Sequence, residues 1–286
     1  MIRKIITLII LSAAFSATAF CQSNELLTNK NRLKFGDYLL RQKDYLRAVN
    51  EYRSILKNVK NDTVKFKLAF CLEKMKRYQE AADNYKGLIF NSNLEELSKI
   101  HFLRNKFLSV PLKDYRSLTK NRMYESAKYR DKSNKLHKLS LLLDFNRLPE
   151  KDKFLSDFDK QDRETISGFY NRRVNPEHKD PLTAGILSAL IPGAGKFYTE
   201  EYTDGLTSFL LTGVLTYLAI DNLNDGHDTR GWIFTGLATY FYAGNIYGSV
   251  ASAQIFNARV EFNLVEEIKQ FLGKKNHFLP EVRFIQ

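Results

Sequence analysis

The feature that most constrains the fold is an internal repeat with a period of 33 residues. Two tyrosines and the alanine between them recur at this offset: Tyr45, Ala48 and Tyr52 return as Tyr78, Ala81 and Tyr85. The spacing of apolar residues in each copy, 33–56 and 66–89, predicts an amphipathic helix, a short polar turn and a second amphipathic helix. One such pair cannot bury its own apolar face, so further helices must stack beside it. The repeat therefore predicts an all-α fold.

The two copies resemble the tetratricopeptide repeat. In that family a small residue midway along the first helix and an alanine early in the second allow close helix approach, and aromatic residues fill the interlocking positions. The resemblance implies these packing positions: Gly36, Tyr45, Ala48, Tyr52, Ala69, Tyr78, Ala81 and Tyr85. The tryptophan-like first anchor and the closing proline of the family are missing, and the period is one residue short, so only residues 33–89 match.

Apolar positions at helical spacing continue beyond the two copies, within residues 95–109 and 135–145. We expect these helices to extend the stack, so that residues 22–174 form a tetratricopeptide-like α-solenoid. The composition changes around Asn175, where two prolines and several charged residues occur. This change predicts a linker at 175–181.

The N terminus has the order of a secretory signal: two basic residues, an apolar run and then small residues. Small residues at Ala19 and Cys21 place the cleavage after Cys21, so residues 1–21 form the signal peptide and Gln22 becomes the first residue. A lipoprotein signal is the weaker alternative, because Phe20 stands where that signal needs a small residue. We therefore expect export to the cell envelope, with the repeats in the periplasm.

Basic residues almost disappear between residues 182 and 256, which contain two of them against six acidic residues in a chain of net charge +12. Three apolar segments lie in this region, at 182–198, 206–220 and 231–256. A membrane-spanning helix needs about 20 apolar residues. We expect 231–256 to span a membrane, 206–220 to reach that length only with its flanks, and the interrupted first segment to be re-entrant or interfacial. The alternative is a soluble protein with a very apolar core.

Residues 179–258 resemble an uncharacterised glycine-rich membrane-hairpin domain of bacterial envelope proteins, for which no activity is implied. The resemblance and a stripe of small residues mark these positions: Pro192, Gly193, Gly195, Tyr198, Gly205, Gly244, Asn245, Gly248 and Asn257. Lys196 stands where a glutamine is more usual in the domain. The small residues at four-residue spacing predict close helix packing, and the two asparagines are expected to bond across helices or to exposed backbone. Residues 259–286 are predicted to form an amphipathic helix and tail.

No pattern for catalysis, metal or cofactor binding is present in the sequence. The segment around Lys196 resembles a phosphate-binding loop, but Leu190 and Phe197 stand where that loop needs glycine and a hydroxyl residue. The five histidines lack paired spacing, and Cys71 is the only cysteine after signal cleavage, which excludes a disulfide within the chain. The basic run at 128–138 follows a helical pattern, so we expect a solvated helix face and no nucleic-acid partner.

These features predict a non-catalytic scaffold of the bacterial cell envelope. Its repeat region binds a protein or peptide partner in a groove, and its C-terminal helices contact membrane lipid. A second hypothesis is a soluble periplasmic binding module whose apolar helices form a closed core or a lipid pocket. A third is an enzyme whose polar cluster forms only on folding. The sequence does not indicate an oligomeric state.

Overall fold

The computed structural model describes residues 28–90, 92–109, 124–143, 148–275 and 278–282. These residues form twelve α-helices and no β-strand, so the protein is all-α as predicted. The predicted signal peptide, 1–21, lies outside the described residues.

The helices belong to two compact units, residues 1–159 with 269–286 and residues 160–268. This division differs from the predicted linker at 175–181, because the chain segment before the linker belongs to the second unit. The C-terminal tail returns to the first unit, where the Arg104 side chain donates hydrogen bonds to the carbonyl oxygens of Leu272 and Gly273, both at 3.2 Å. Contacts between residues this far apart in sequence leave no local signal.

Among its described residues, the first unit contains these helices: α1 Asn29–Arg41, α2 Tyr45–Leu56, α3 Asp62–Lys74, α4 Tyr78–Lys86, α5 Glu95–Ser109, α6 Arg130–Leu142 and α7 Lys151–Leu155. From α1 to α6, each helix packs against the next in the chain. The core holds large side chains that are shielded from water: Tyr52, Phe66, Tyr85, Phe102, Phe107, Phe154 and Phe158. Burial of such apolar surface is the main stabilising contribution to a fold of this kind.

The turns that join α1 to α2 and α3 to α4 have the same geometry. Lys43 and Lys76, 33 residues apart, both adopt φ = 60°. In each turn the lysine N–H donates to a carbonyl three residues back, Leu40 in the first and Glu73 in the second. The sequence repeat is therefore matched by a repeat of backbone conformation at its two helix turns.

Six of the eight expected repeat-packing residues are buried, whereas Tyr45 and Tyr78, the first residues of α2 and α4, are half-buried. A Cβ on Gly36 would lie 2.8 Å from Cε1 of Tyr52, so the glycine allows this ring to approach α1. The Tyr52 hydroxyl donates a hydrogen bond to Asp37 at 2.8 Å.

The second unit contains α8 Lys160–Val174, α9 Pro181–Leu190, α10 Ala194–Tyr198, α11 Tyr202–Asn224 and most of α12, Asp228–Lys274. Asp180 caps α9, since its carboxylate accepts the N–H of Thr183 at 2.8 Å. Glycines with positive φ form two of the turns, Gly193 (88°) before α10 and Gly226 (74°) between α11 and α12. The helix break that the sequence predicts near Pro192 lies at this first turn.

Candidate functional site

Helices α9 to α12 of the second unit expose many apolar side chains. Most of the exposed large apolar side chains of the described chain lie here: Leu182, Ile186, Leu190, Ile191, Phe197, Tyr202, Leu206, Phe209, Leu210, Leu211, Val214, Tyr217, Ile220, Trp232, Ile233, Leu237, Tyr240, Phe241, Tyr247, Ile255 and Phe262. Soluble proteins rarely expose contiguous apolar patches of more than a few hundred Å². This distribution is the reverse of that in the first unit, whose large apolar side chains are mostly buried.

Helix α11 is the one helix among the described residues that is long and apolar enough to cross a membrane. The mean hydropathy of its most apolar window is 1.4, and only 11% of that window is buried. The sequence predicts a span at 231–256, now within α12, whereas α11 is the helix that meets this criterion of length and hydropathy. Helix α12 is long enough to cross a membrane, but its mean hydropathy is too low to meet the same criterion. Asn245 and several tyrosines and glycines lower its hydropathy.

The interior of the second unit contains several small polar side chains beside its apolar ones. The hydroxyl of Ser249 donates to the carbonyl oxygen of Asn245 at 2.9 Å. The Ser188 and Ser249 hydroxyl oxygens lie 2.6 Å apart and share a hydrogen bond. Ser188 in turn accepts the N–H of Gly195 at 2.9 Å. This chain of bonds joins α9, α10 and α12 through groups that are buried from solvent.

Three of the predicted motif glycines lie where backbones touch. A Cβ on Gly195 would lie 1.9 Å from the carbonyl oxygen of Ala184, and one on Gly193 would lie 2.1 Å from that of Gly205. A Cβ on Gly205 would lie 2.8 Å from the Phe197 ring. Any larger residue at the first two positions collides with backbone, which cannot move aside as a side chain can.

The small-residue stripe of α12 contacts the α10 region over part of its length. The hydroxyl oxygens of Ser252 and Thr199 lie 2.8 Å apart. A Cβ on Gly248 would lie 3.5 Å from Cε of Lys196, whose ammonium donates to Ser208 at 3.0 Å. At Gly244 the surroundings are open, so the close helix packing expected along the whole stripe is absent at that position.

The two asparagines of the motif have different surroundings. Asn257 bonds both backbone groups of Lys179, accepting its N–H at 2.7 Å and donating to its carbonyl at 2.9 Å. Nearby, the Tyr198 hydroxyl accepts the N–H of Asp180 at 3.1 Å. Asn245 is only 4% exposed, and its amide has no hydrogen-bond partner among the described residues. Neither the cross-helix bond nor the bond to exposed backbone that was expected for Asn245 is therefore present among the described residues.

Helices α11 and α12 also line a common groove of about 320 Å³. Its walls combine threonines with apolar side chains: Thr212, Thr216, Ala219, Ile220, Leu223, Thr235, Ala238, Thr239 and Tyr242. The hydroxyls of Thr216, Thr235 and Thr239 bond carbonyls one turn back in their own helices. These hydroxyl protons are thus already used, and the groove offers a mostly apolar surface.

A buried charge cluster, which the sequence analysis missed, lies in the first unit. The Glu73 carboxylate accepts hydrogen bonds from Arg104 at 3.2 Å and Asn105 at 2.6 Å, and lies 2.9 Å from Nδ1 of His101. Burial raises the pKa of Glu73, but the charges and hydrogen bonds of these neighbours outweigh it and lower the pKa to about 2. His101 and Glu73 are closed to solvent, so the cluster holds helices together and offers no path for a substrate.

The described residues contain no group of three or more His, Cys, Asp or Glu side chains placed to hold a metal ion. Cys71 is buried in α3, and burial raises the pKa of its thiol to about 12. A thiol in this state is a weak nucleophile at neutral pH.

No family model, no curated protein and no solved structure matches the chain. The likeness to the tetratricopeptide repeat therefore rests on residues 33–89 themselves.

Proposed function

We propose that this protein is a non-catalytic scaffold of the bacterial cell envelope. Its first 21 residues direct export, its helical repeats form a tetratricopeptide-like solenoid that binds a protein or peptide partner in the periplasm, and residues 182–258 form a membrane-embedded helical hairpin region that anchors it.

The exposure of the apolar surface of α11 supports the membrane part of this proposal most strongly. A helix of 23 residues is about 35 Å long, enough for a hydrocarbon core of about 30 Å. An apolar helix of a soluble protein buries most of its surface, whereas 11% of the apolar window of α11 is buried. Its exposed leucines and phenylalanines need an apolar environment, and lipid supplies one.

The small residues and hydroxyl contacts inside the second unit support the same conclusion. Lipid gives no hydrophobic drive for helix association, so membrane helices associate through small residues and interhelical hydrogen bonds. The contacts of Gly195 with Ala184 and the hydroxyl pairs Ser188–Ser249 and Thr199–Ser252 are of these two kinds.

The repeat geometry supports the scaffold part. Helices α1 to α5 pack in sequence order, and the φ = 60° turns at Lys43 and Lys76 keep the 33-residue register. Stacked helix pairs of this kind present extended binding surfaces, and the buried Glu73 cluster has no access for a substrate.

A soluble module with a lipid pocket is the second candidate, favoured by the mostly apolar groove between α11 and α12. This candidate leaves the outward apolar side chains of α11 without cover. It predicts that the protein remains in solution without detergent and carries bound lipid.

A carbonate wash of membranes that contain the full-length processed protein separates the two candidates. We expect the protein to stay in the pellet. A Leu210→Asp variant should move toward the supernatant, because a charge at a lipid-facing site costs about 2–4 kcal/mol. Leu46→Asp is the matched control, since Leu46 on α2 and Leu210 on α11 are equally exposed, 57% and 54%. Recovery of the unmodified protein in the supernatant would contradict membrane embedding.

A further inference from the structure

The first unit contains a cationic cleft that the fold leaves open. The C-terminal end of α2, the loop that follows it, the first half of α3 and the end of α4 enclose a cavity of about 700 Å³. Its cationic rim consists of Arg53, Lys57, Lys60 and Lys65, and Leu56 and Leu68 belong to its apolar floor. The cleft therefore combines two kinds of surface within one concave site.

The charge of the cleft is largely uncompensated. Arg53 forms an ion pair with Glu80 at 3.0 Å, at about 43% side-chain exposure. Lys57, Lys60 and Lys65 form no ion pair with any residue that the structure describes, and Asp62 is the one acidic residue in the lining. Lysines brought together without partners create a positive potential, which attracts anionic groups.

Gly87 leaves room for one of these cations. A Cβ at this position would lie 2.2 Å from Nζ of Lys65. The half-buried Lys65 side chain thus passes over the backbone at the end of α4, at a point that a larger residue would obstruct. This arrangement holds one ammonium group at the wall of the cleft.

The floor and the shape of the cleft select among anionic ligands. Leu68 is buried and Val59 is exposed at the edge, so a ligand gains by placing an apolar group between its charges. None of the described residues that line the cleft is aromatic, which disfavours a single-stranded nucleic acid because such ligands stack on aromatic rings. A membrane surface is flat at this scale and would reach the rim but not the floor.

We propose that the cationic cleft binds an acidic peptide segment of a partner protein, with one apolar residue flanked by carboxylates. The carboxylates face Lys57, Lys60 and Lys65, and the apolar side chain rests on Leu56 and Leu68. This site rests on the proposed scaffold function, for which it specifies the chemistry of one partner.

The test uses the full-length processed protein in detergent micelles and a fluorescein-labelled peptide, Glu-Asp-Leu-Glu-Asp, followed by fluorescence anisotropy. We expect saturable binding that weakens as salt rises. The double variant Lys57→Glu with Lys60→Glu should raise the Kd by about tenfold or more. The double variant Lys30→Glu with Lys34→Glu is the matched control, because it changes the net charge equally at exposed lysines of α1 outside the cleft. This control should change the Kd by less than about twofold.

Two further probes separate the ligand classes. The peptide Glu-Asp-Ser-Glu-Asp should bind more weakly than the leucine peptide, because it cannot use the apolar floor. Vesicles of phosphatidylglycerol should not compete with the leucine peptide. Equal loss of affinity in both double variants, equal binding of the two peptides, or full competition by the vesicles would overturn the cleft assignment. None of these outcomes affects the membrane proposal, which the carbonate wash tests separately.

Discussion

Glu73 on α3 and His101 on α5 meet inside the first unit, with the carboxylate 2.9 Å from Nδ1 of the imidazole and both side chains closed to water. The Arg104 guanidinium bonds the same carboxylate and also the carbonyls of Leu272 and Gly273. The buried Glu73 carboxylate and the Arg104 guanidinium together therefore link α3 and α5 to the end of α12 within this unit.

The Glu73→Gln variant should lose about 3–5 kcal/mol of stability at neutral pH, because it leaves the Arg104 charge buried without its anion. The pKa of Glu73 is lowered from 4.5 to about 2 in the folded state. A lowered folded-state pKa contributes stability that is complete above pH 4.5 and is lost as the pH falls toward 2. The stability difference between the native protein and the variant should therefore shrink over this range.

Urea unfolding of both proteins, monitored by hydrogen exchange of residues 62–109, measures this difference at each pH. Glu51→Gln is the control, since Glu51 pairs with Arg32 at a partly exposed site and its loss should cost no more than about 1 kcal/mol. A stability difference for Glu73→Gln that stays constant from pH 6 to pH 2.5 would contradict the role assigned to this carboxylate.

The Gly36→Ala variant tests the packing of the first repeat. The new methyl group would lie 2.8 Å from a ring carbon of the buried Tyr52, so we expect a loss of about 1–3 kcal/mol from overpacking. Gly273→Ala is the control, because its Cβ would make an ordinary 3.8 Å contact with the Tyr78 hydroxyl. Thermal unfolding of the first unit should occur at a lower temperature for Gly36→Ala only. Equal midpoints for the two variants would exclude the proposed Gly36–Tyr52 contact.

The all-α class followed from local sequence, because helical periodicity and the repeat of Tyr45, Ala48 and Tyr52 are local signals. Burial of Ala48, Ala69 and Ala81 also agrees with the small residues placed at helix contacts. The Glu73 cluster and the return of residues 269–286 to the first unit depend on contacts across large sequence separations. Nothing in the sequence near Glu73 signals that Arg104 will lie beside it, or that Arg104 will also bond the Leu272 carbonyl.

The choice among the three apolar segments as a membrane span also shows how far sequence alone can predict the structure. Segment 231–256 is the longest of the three, and its length favoured it as a membrane span. Its asparagine, tyrosines and glycines give it less apolar character than α11. They include the buried Asn245, and Gly248, which lies beside the Lys196 side chain. Segment length and mean hydropathy therefore favour different helices as the membrane span.

The Gly195→Ala variant tests the interior of the second unit. Its Cβ would lie 1.9 Å from the Ala184 carbonyl oxygen and 2.7 Å from the Ser188 hydroxyl. We expect a loss of at least about 3 kcal/mol, since the helix backbones must separate. Gly244→Ala adds the same methyl group in open surroundings, where alanine should be neutral or stabilise the helix by up to about 1 kcal/mol. The resistance of each variant to proteolysis in detergent micelles measures this difference in stability. Equal sensitivity of the two variants to the protease would argue against this packing.

Spin labels on α11 and α2 test the membrane proposal most directly. The variants Leu210→Cys and Leu46→Cys, each labelled with a nitroxide at the new cysteine of the full-length processed protein in liposomes, compare two similarly exposed sites, while the buried Cys71 stays unlabelled. The label at 210 should collide more often with dissolved oxygen than with a water-soluble nickel chelate, because oxygen concentrates in lipid. The label at 46 should show the opposite preference. A label at 210 that favours the nickel chelate as strongly as the label at 46 would contradict the embedding of α11 in a membrane.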